Sequence, residues 1–469
     1  MVLKFRQRGV ALLAAAALAG PLAAAPPAVH ERPAPKAPIN GYRLPNGLRV
    51  ILSPDHTAPV VSLAVMYDVG SRNERPGRTG FAHLFEHLMF QGSENVGKGE
   101  HFSLLTENGG TFNGTTSQER TVYYETVPAN QMELTLFLEA DRMRALDVSQ
   151  ANLDNQREVV KEERRQRVEN EAYGSLYEES LKTFFKTFAY QHSTIGSMDD
   201  LNAATVEDAR QFFHTYYVPN NAVLVLAGDF REKAAKRGIE KYFGPIPARE
   251  GIPPVDGTEP NRAGGEQRLT LTDPLATLPR LRRYYRTAPG GTPDSYALTV
   301  LATVLSGRGK TGRLYDPLVR SHLALGASAV QLAMRTVSPF QIELGLPAGA
   351  DIEKAEATLD AEIERVKAGG VTEDELKRAR IQLRTSAVSH LQKTADKASF
   401  LATYALYYND PDLINTIYSK QAAITAEDVQ RVAKTYLTKE NSATIIVLPA
   451  RAAKSAAAGE ETPKPEDAQ

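Results

Sequence analysis

Alternating strand-like and helix-like segments make up most of the chain from Tyr42 onward. Around Asn46-Gly47, two short runs predict a β-hairpin, because this pair favours the tight turn that joins two strands. Val60 to Val69 is rich in β-branched residues and predicts a further strand. The same criteria predict strands at 111–116, 121–127 and 222–227, and helices at 81–91, 101–108, 128–146, 149–170 and 205–217.

A second block of elements follows a stretch without periodicity. Residues 249–265 contain Gly and Pro and no hydrophobic repeat, which is typical of a linker. Beyond them, the pattern predicts strands at 281–286 and 340–346, a helix at 294–305 and further helices as far as Tyr436. This mixture of elements predicts an α+β fold.

A sequence repeat relates the two blocks. The residues Thr205-Val-Glu-Asp208, Thr215-Tyr216 and Asn221 reappear at a constant offset of 220 positions, as Thr425-Ala-Glu-Asp428, Thr435-Tyr436 and Asn441. Each copy predicts a capped helix followed by a strand. We therefore predict two homologous domains, at 40–248 and 267–450, with a linker at 249–266 between them.

The composition excludes several classes of protein. A formal net charge of −1 provides no overall field that would favour nucleic acid or an anionic membrane. Cysteine is absent from the sequence, which excludes disulfides, a cysteine nucleophile and thiolate metal sites. Any zinc ion would therefore be held by histidine and carboxylate side chains.

The first residues are typical of an export signal. A basic start with Lys4, Arg6 and Arg8 precedes a short apolar run and then small residues suited to cleavage. We predict a signal peptide at 1–25 and a Pro/Ala-rich linker at 26–39, and hence a periplasmic or secreted protein. A retained anchor is disfavoured, because the apolar run is shorter than the about 20 residues of a membrane span. The composition of residues 451–469, which is rich in Ala, Lys, Glu and Pro, predicts a disordered tail.

The candidate chemistry lies in the stretch from Thr79 to Gly92. Inside a predicted helix, His83, Glu86 and His87 form an H-x-x-E-H pattern, and positions i, i+3 and i+4 share one helix face. Two imidazoles one turn apart suit Zn²⁺, and the carboxylate between them can accept a proton from a water molecule. The spacing predicts a hydrolytic zinc centre.

A third protein ligand is normal in catalytic zinc sites, and the charged helix at 149–170 offers it. Glu158, Glu162 and Glu163 are the candidates. Neighbouring side chains on a helix diverge by about 100°, so Glu162 and Glu163 do not both face one metal easily. Spacing alone does not choose between them.

The two segments together resemble the insulinase/pitrilysin family of zinc peptidases. The H-x-x-E-H motif is followed by Arg157-Glu-Val-Val-Lys-Glu-Glu163, and the strand pair at 109–124 also matches the family. The resemblance is strongest to the shorter members, which include the β subunit of the mitochondrial processing peptidase and bacterial two-subunit relatives. It implies that His83, His87 and Glu163 hold one Zn²⁺ per chain, since Glu163 lies 76 residues after His87. Where many members carry a further Glu, this chain has Gln156.

The resemblance also implies an activity and a substrate. We expect a zinc endopeptidase in which Glu86 acts as general base and then acid, with peptides or unfolded polypeptides enclosed by a clamshell of two halves. Asn113 matches a family asparagine that holds the peptide backbone beside an edge strand. Because the second half lacks H-x-x-E-H, we expect a single active site.

The second half suggests a partner. Arg320 resembles a family arginine that binds substrate together with a tyrosine seven residues later, but position 327 is Ala here. We therefore expect a homologous partner subunit that supplies an Arg/Tyr pair, or a homodimer.

Two alternatives to the peptidase function stay open: a non-catalytic structural or assembly subunit of the same fold, and a zinc hydrolase acting on a non-peptide substrate. The remaining histidines, such as His56, His101 and His192, we interpret as ordinary surface or core residues.

Overall fold

Two β-sheets, one in each half of the chain, organise the structure. The computed structural model describes residues 36–450. The predicted signal peptide, most of the predicted N-terminal linker and the predicted disordered tail lie outside the described residues. Within 36–450, no helix combines the length and the apolar composition that crossing a membrane would require.

The first sheet has six strands in the order β1-β2-β6-β3-β5-β4. Its strands are β1 (Asn40–Arg43), β2 (Arg49–Pro54), β3 (Val60–Tyr67), β4 (Thr111–Thr116), β5 (Thr121–Pro128) and β6 (Ala222–Gly228). The predicted hairpin is confirmed: β1 and β2 pair antiparallel, and Gly47 at the turn has a φ of 88°. All pairs in this sheet are antiparallel except β2 with β6, and β4 forms an edge.

The second sheet has five strands in the order β7-β11-β8-β10-β9. Its strands are β7 (Gln267–Asp273), β8 (Arg280–Thr287), β9 (Gly326–Gln331), β10 (Ser338–Gly345) and β11 (Ser442–Pro449). Again one pair is parallel, β7 with β11, and the other pairs are antiparallel. Strand β9 occupies the edge that corresponds to β4 in the first sheet.

Helices cover both sheets. In the first half they are α1 (Phe81–Leu88), α2 (Glu100–Glu107), α3 (Met132–Arg144), α4 (Gln150–Arg164), α5 (Leu176–Phe184), α6 (Phe188–Gln191), α7 (Met198–Ala203), α8 (Val206–Tyr216) and α9 (Glu232–Phe243). In the second half they are α10 (Pro293–Ser306), α11 (Ile352–Gly369), α12 (Glu373–Gln392), α13 (Thr394–Tyr408), α14 (Leu413–Ala422) and α15 (Ala426–Tyr436). The single helix expected at 149–170 is α4 followed by a π-helical turn at Arg165–Glu169.

The repeat inferred from the sequence is a structural repeat. Helices α8 and α15 each begin with a capping box, formed by Thr205 and Thr425. After each helix an asparagine amide donates back to a tyrosine carbonyl, Asn221 to Tyr216 at 2.9 Å and Asn441 to Tyr436 at 2.8 Å. The strand that follows is parallel to one neighbour and antiparallel to the other in both halves. The predicted α+β fold with two related halves is confirmed.

The halves exchange helices, which the sequence pattern does not reveal. Helix α13 from the second half buries Leu401 and Ala402 against the face of the first sheet that carries Ala64 and Val225. In return, α5 and the segment after it, including Phe185, pack against the second sheet. Each sheet is therefore covered partly by the other half, and we expect the halves to be stable only together.

Candidate metal centre

Helix α1 presents His83 and His87 to open space because its other faces are buried. Leu84, Phe85 and Leu88 are fully buried in the core of the first half. The helix therefore has a fixed orientation, with both imidazoles pointing away from the core. Their rings lie 4.8 Å apart and are nearly perpendicular to each other.

Helix α4 brings a carboxylate to the two imidazoles. The Oε2 atom of Glu163 lies 3.7 Å from Nε2 of His83 and 3.4 Å from Nε2 of His87. Glu162, the alternative from spacing, points to solvent with 55% of its side chain exposed and pairs with Arg165. The structure thus places Glu163, and not Glu162, beside the histidines.

The distances from the Glu163 carboxylate to the two imidazoles are close to those in a zinc site. In a tetrahedral site with bonds of about 2.0–2.1 Å, ligand atoms lie about 3.3–3.4 Å apart. The observed separations of 3.4 and 3.7 Å are close to this value, and two imidazoles with one carboxylate are a ligand set that Zn²⁺ accepts. The residues present therefore fit a zinc ion held by three protein ligands.

The charges around the triad suit a bound cation. Burial, together with the neighbouring imidazole of His87, lowers the pKa of His83 to about 4, so this imidazole is neutral and able to bind a metal at pH 7. Burial acts to raise the pKa of Glu163, but its hydrogen bond with His87 and the nearby His83 and Arg167 outweigh burial and lower it. Neutral imidazole and ionised carboxylate are the protonation states that metal binding needs.

Glu86 lies in the same cavity but stands apart from the three-residue cluster. Its Oε2 accepts a hydrogen bond of 2.5 Å from the hydroxyl of Thr116 on β4. Burial raises the pKa of Glu86, and the hydrogen bond from Thr116 opposes this only in part. A carboxylate with a raised pKa is better able to take up a proton near neutral pH than an exposed one.

The edge strand β4 approaches α1 closely because position 114 is glycine. A Cβ atom at Gly114 would lie 3.0 Å from Cγ and 3.2 Å from Oε1 of Glu86. Asn113, the preceding residue, is exposed on this strand, and its Oδ1 accepts from the backbone N–H of Gly114. Both residues line the same cavity of about 580 Å³ as the metal triad. The cavity is thus bounded on one side by an unpaired strand edge.

Arg320 does not line this cavity. It lies at the end of a π-helical turn in the second half, with 70% of its side chain exposed, and pairs with Asp316 at 3.2 Å. The described chain therefore brings together His83, Glu86, His87, Asn113 and Glu163, but leaves Arg320 apart from them.

Two side chains that contact the site were not anticipated. Thr116 donates to Glu86, and Arg167 pairs with Oε1 of Glu163 at 2.7 Å. The helical spacing of four residues between Glu163 and Arg167 is a signal that could have identified the pair. Thr116 offers no such signal, because its contact depends on how the sheet edge meets α1.

Family models match both halves of the chain. Residues 49–197 match the model described as "Insulinase (Peptidase family M16)", and residues 203–383 match "Peptidase M16 inactive domain". The first match contains His83, Glu86, His87 and Glu163. The described residues contain two clusters of three potential metal ligands, and both lie in the first half: His83, His87 and Glu163, and the buried group His101, Glu125 and Glu139.

Similar proteins from other organisms match over most of the chain. A protein of Helicobacter pylori named "Zinc protease PqqE" is 29% identical over 87% of this chain and 92% of its own length. A protein of Arabidopsis thaliana named "Probable mitochondrial-processing peptidase subunit beta, mitochondrial" is 24% identical over 84% of this chain and 75% of its own. The crystal structure of a protease from Helicobacter pylori superposes with a TM-score of 0.84, is 28% identical, and covers 88% of this chain and 100% of that one.

Proposed function

The chain belongs to the insulinase family of peptidases, family M16, and on this basis we propose that it is a zinc endopeptidase acting on peptides or unfolded polypeptides. The observation that carries the proposal is the convergence of His83, His87 and Glu163 in one cluster of potential metal ligands, with Glu86 in the same cavity. A structural subunit would have no need to keep these four side chains in one open cavity.

The ion that this triad would hold supplies two kinds of chemistry: it polarises a carbonyl group and lowers the pKa of a water molecule from 15.7 toward about 7. The remaining work falls to the protein. Glu86 takes a proton from the attacking water and later donates one to the leaving amine, and its raised pKa suits both steps. Thr116 holds the carboxylate in place through its hydroxyl.

The substrate would bind as an extra strand on β4. This strand is the edge of the first sheet, so its outward N–H and C=O groups are available to an extended peptide. Gly114 lets the edge pass close to Glu86, and Asn113 lies exposed where its amide can reach the peptide backbone. This arrangement favours a peptide substrate over a small non-peptide ester or amide.

A partner remains part of the proposal. Arg320 does not line the cavity and pairs with Asp316, and position 327, on strand β9, is alanine. We infer that a homologous chain, or a second copy of this one, completes the substrate chamber. Mass measurement of the native complex, combined with activity of the isolated chain, tests this. Full activity of a stable monomer would contradict it.

We also propose that the protein is exported, on the strength of the basic and apolar pattern at 1–25. N-terminal sequencing of the protein recovered from its native cells would locate the cleavage. An intact Met1 in the recovered protein would contradict export by this route.

The activity itself is tested with an unfolded polypeptide and mass spectrometry of the products. The wild-type chain, a Glu86→Gln variant and a chelator-treated sample would be compared, with any partner that co-purifies. Internal cleavage by the wild type alone, restored by Zn²⁺ after chelation, is the expected result. Equal cleavage by the Glu86→Gln variant would refute the assignment.

A further inference from the structure

The N-terminus of the metal helix α1 is held by a buried carboxylate. The side chain of Glu74 is fully enclosed, and its two oxygens accept the backbone N–H groups of Gly80 at 3.0 Å and Ala82 at 2.8 Å. These N–H groups are among those that an α-helix leaves without an internal partner. Glu74 therefore fixes the first turn of the helix, and the N–H group of Ala82 that it accepts lies one residue before His83.

Glu74 is held in turn by His192. The Nε2 atom of His192 lies 2.9 Å from Oε2 of Glu74 and 3.0 Å from the carbonyl oxygen of Ser71. The Nδ1 atom lies 2.7 Å from the carbonyl oxygen of Phe188. Both ring nitrogens thus face oxygen atoms, and the two backbone carbonyls can only accept.

This geometry decides where the protons lie. A neutral imidazole carries one N–H, so one nitrogen would direct its lone pair at an oxygen. Burial raises the pKa of Glu74, and a proton on Glu74 could relieve that contact. The hydrogen bond from His192 and the two backbone N–H groups at the positive end of the helix oppose burial, and because these N–H groups can only donate, they favour the ionised carboxylate. Each of these contacts pairs a donor with an acceptor when both nitrogens of His192 carry a proton and Glu74 is ionised.

The other charges nearby are paired among themselves. Arg72, beside Ser71, pairs with Asp68, and next to His192 on the other side Ser193 donates to Glu178, which pairs with Arg164. Glu74 is therefore the charged group that faces the ring. Burial lowers the pKa of His192, but the hydrogen bond and charge of Glu74 outweigh it, so that the pKa is raised overall.

The three residues that follow His192 in the sequence line the metal cavity. Ser193, Thr194 and Ile195 line that cavity, and the carbonyl of Ile195 lies so close to Gly80 that a Cβ there would be 2.5 Å from it. The ring of His192 stacks on Phe188 at 4.6 Å, which fixes it from the other side. The imidazole thus connects the start of the metal helix with one wall of the cavity.

We propose that His192 is a positioning residue that works as an imidazolium: its ion pair with Glu74 sets the orientation of α1, and with it the approach of His83 and His87 to the metal. The role assigned to the metal rests on the proposed function, whereas the protonation state does not. As pH rises through the pKa of His192, the ring loses the proton directed at Glu74. Metal affinity should then fall.

The protonation state is measured by nitrogen NMR of histidine-labelled wild-type protein in its native assembly. The His192→Gln variant assigns the signal among the nine histidines. We expect both ring nitrogens of His192 to be protonated at pH 7.5. A neutral His192 with a single N–H at this pH would overturn the proposal, whether or not the protein proves to be a peptidase.

The positioning role is measured by zinc affinity and by its pH dependence. Replacing a residue that orients a metal ligand commonly costs 10- to 100-fold in affinity, and we expect about 10-fold for His192→Gln and Glu74→Gln. In His192→Gln, the decline of affinity at high pH should also disappear. The control is His56→Gln, which removes an exposed histidine paired with Asp229 at 2.6 Å. Unchanged zinc affinity and an unchanged pH profile in His192→Gln would refute positioning by His192.

Discussion

Replacing Glu163 by glutamine tests the metal centre where sequence spacing left a choice. The variant keeps the length of the side chain but removes the negative charge that lies 3.4 and 3.7 Å from the two imidazoles. Zinc sites with four protein ligands bind with about 10–16 kcal/mol, so one ligand contributes about 3 kcal/mol. We therefore expect zinc affinity to fall roughly 100-fold.

The neighbouring residue provides a matched control. Glu162→Gln makes the same chemical change one position earlier on α4, but its carboxylate points to solvent and bonds Arg165 and Gln166. Competition with a fluorescent chelator at fixed pH measures both dissociation constants. We expect Glu162→Gln to stay within about twofold of wild type, since an exposed ion pair contributes little. Similar losses in both variants, or a larger loss in Glu162→Gln, would refute the assignment of the third ligand.

Three further changes address the cavity, the core and the pH dependence of folding. Gly114→Ala places a Cβ 3.0 Å from Cγ of Glu86, so kcat/KM for peptide hydrolysis should fall roughly 10-fold or more at unchanged zinc content. The control Gly345→Ala, with open space around it, should leave kcat/KM unchanged. Equal effects of the two substitutions on peptide hydrolysis would contradict this. Leu401→Ala should destabilise the protein by about 2–5 kcal/mol in urea unfolding. Both halves should unfold in one transition, because α13 covers the sheet of the other half. Two separate transitions would contradict the exchange of helices. Burial lowers the pKa of His101 to about 3. The contribution of the neutral ring to stability is therefore complete above about pH 6.5 and is lost toward pH 3, at up to about 1.4 kcal/mol per pH unit. His101→Gln should show a shallower decline of the unfolding free energy with falling pH, and identical slopes in the two proteins would contradict this account.

The sequence predicted those parts of the fold that depend on local pattern. The hairpin at Asn46-Gly47 follows from turn chemistry, and the capping boxes at Thr205 and Thr425 follow from a short motif repeated at constant spacing. The face shared by His83 and His87 follows from helix geometry alone. These features need no knowledge of distant contacts.

Contacts between distant segments were not predictable in this way. The sequence of α13 is typical of an apolar helix of the second half, and nothing in its periodicity indicates that Leu401 packs on the first sheet. The hydrogen bond from Thr116 to Glu86 depends on how the strand edge meets α1. His192 was interpreted as an ordinary residue because its partner, Glu74, is 118 positions away in sequence.

The choice between Glu162 and Glu163 shows the same limit on a smaller scale. Helix spacing states that the two carboxylates diverge, but the rotation of α4 relative to α1 decides which one reaches the imidazoles. That rotation is set by the packing of α4, where Leu153 and Val160 are buried in the core. A resemblance to known proteins anticipated the result, whereas the residues alone did not.

The measurement that tests the central claim most directly compares the wild-type chain with Glu86→Gln for bound zinc and for peptide hydrolysis in the same preparations. We predict one zinc ion per chain in both, because Glu86 stands outside the triad, and hydrolysis in the wild type that falls by several orders of magnitude in the variant. Hydrolysis that survives in zinc-loaded Glu86→Gln would contradict the role of Glu86. Loss of zinc from that variant would contradict the separation of metal ligands from the general base.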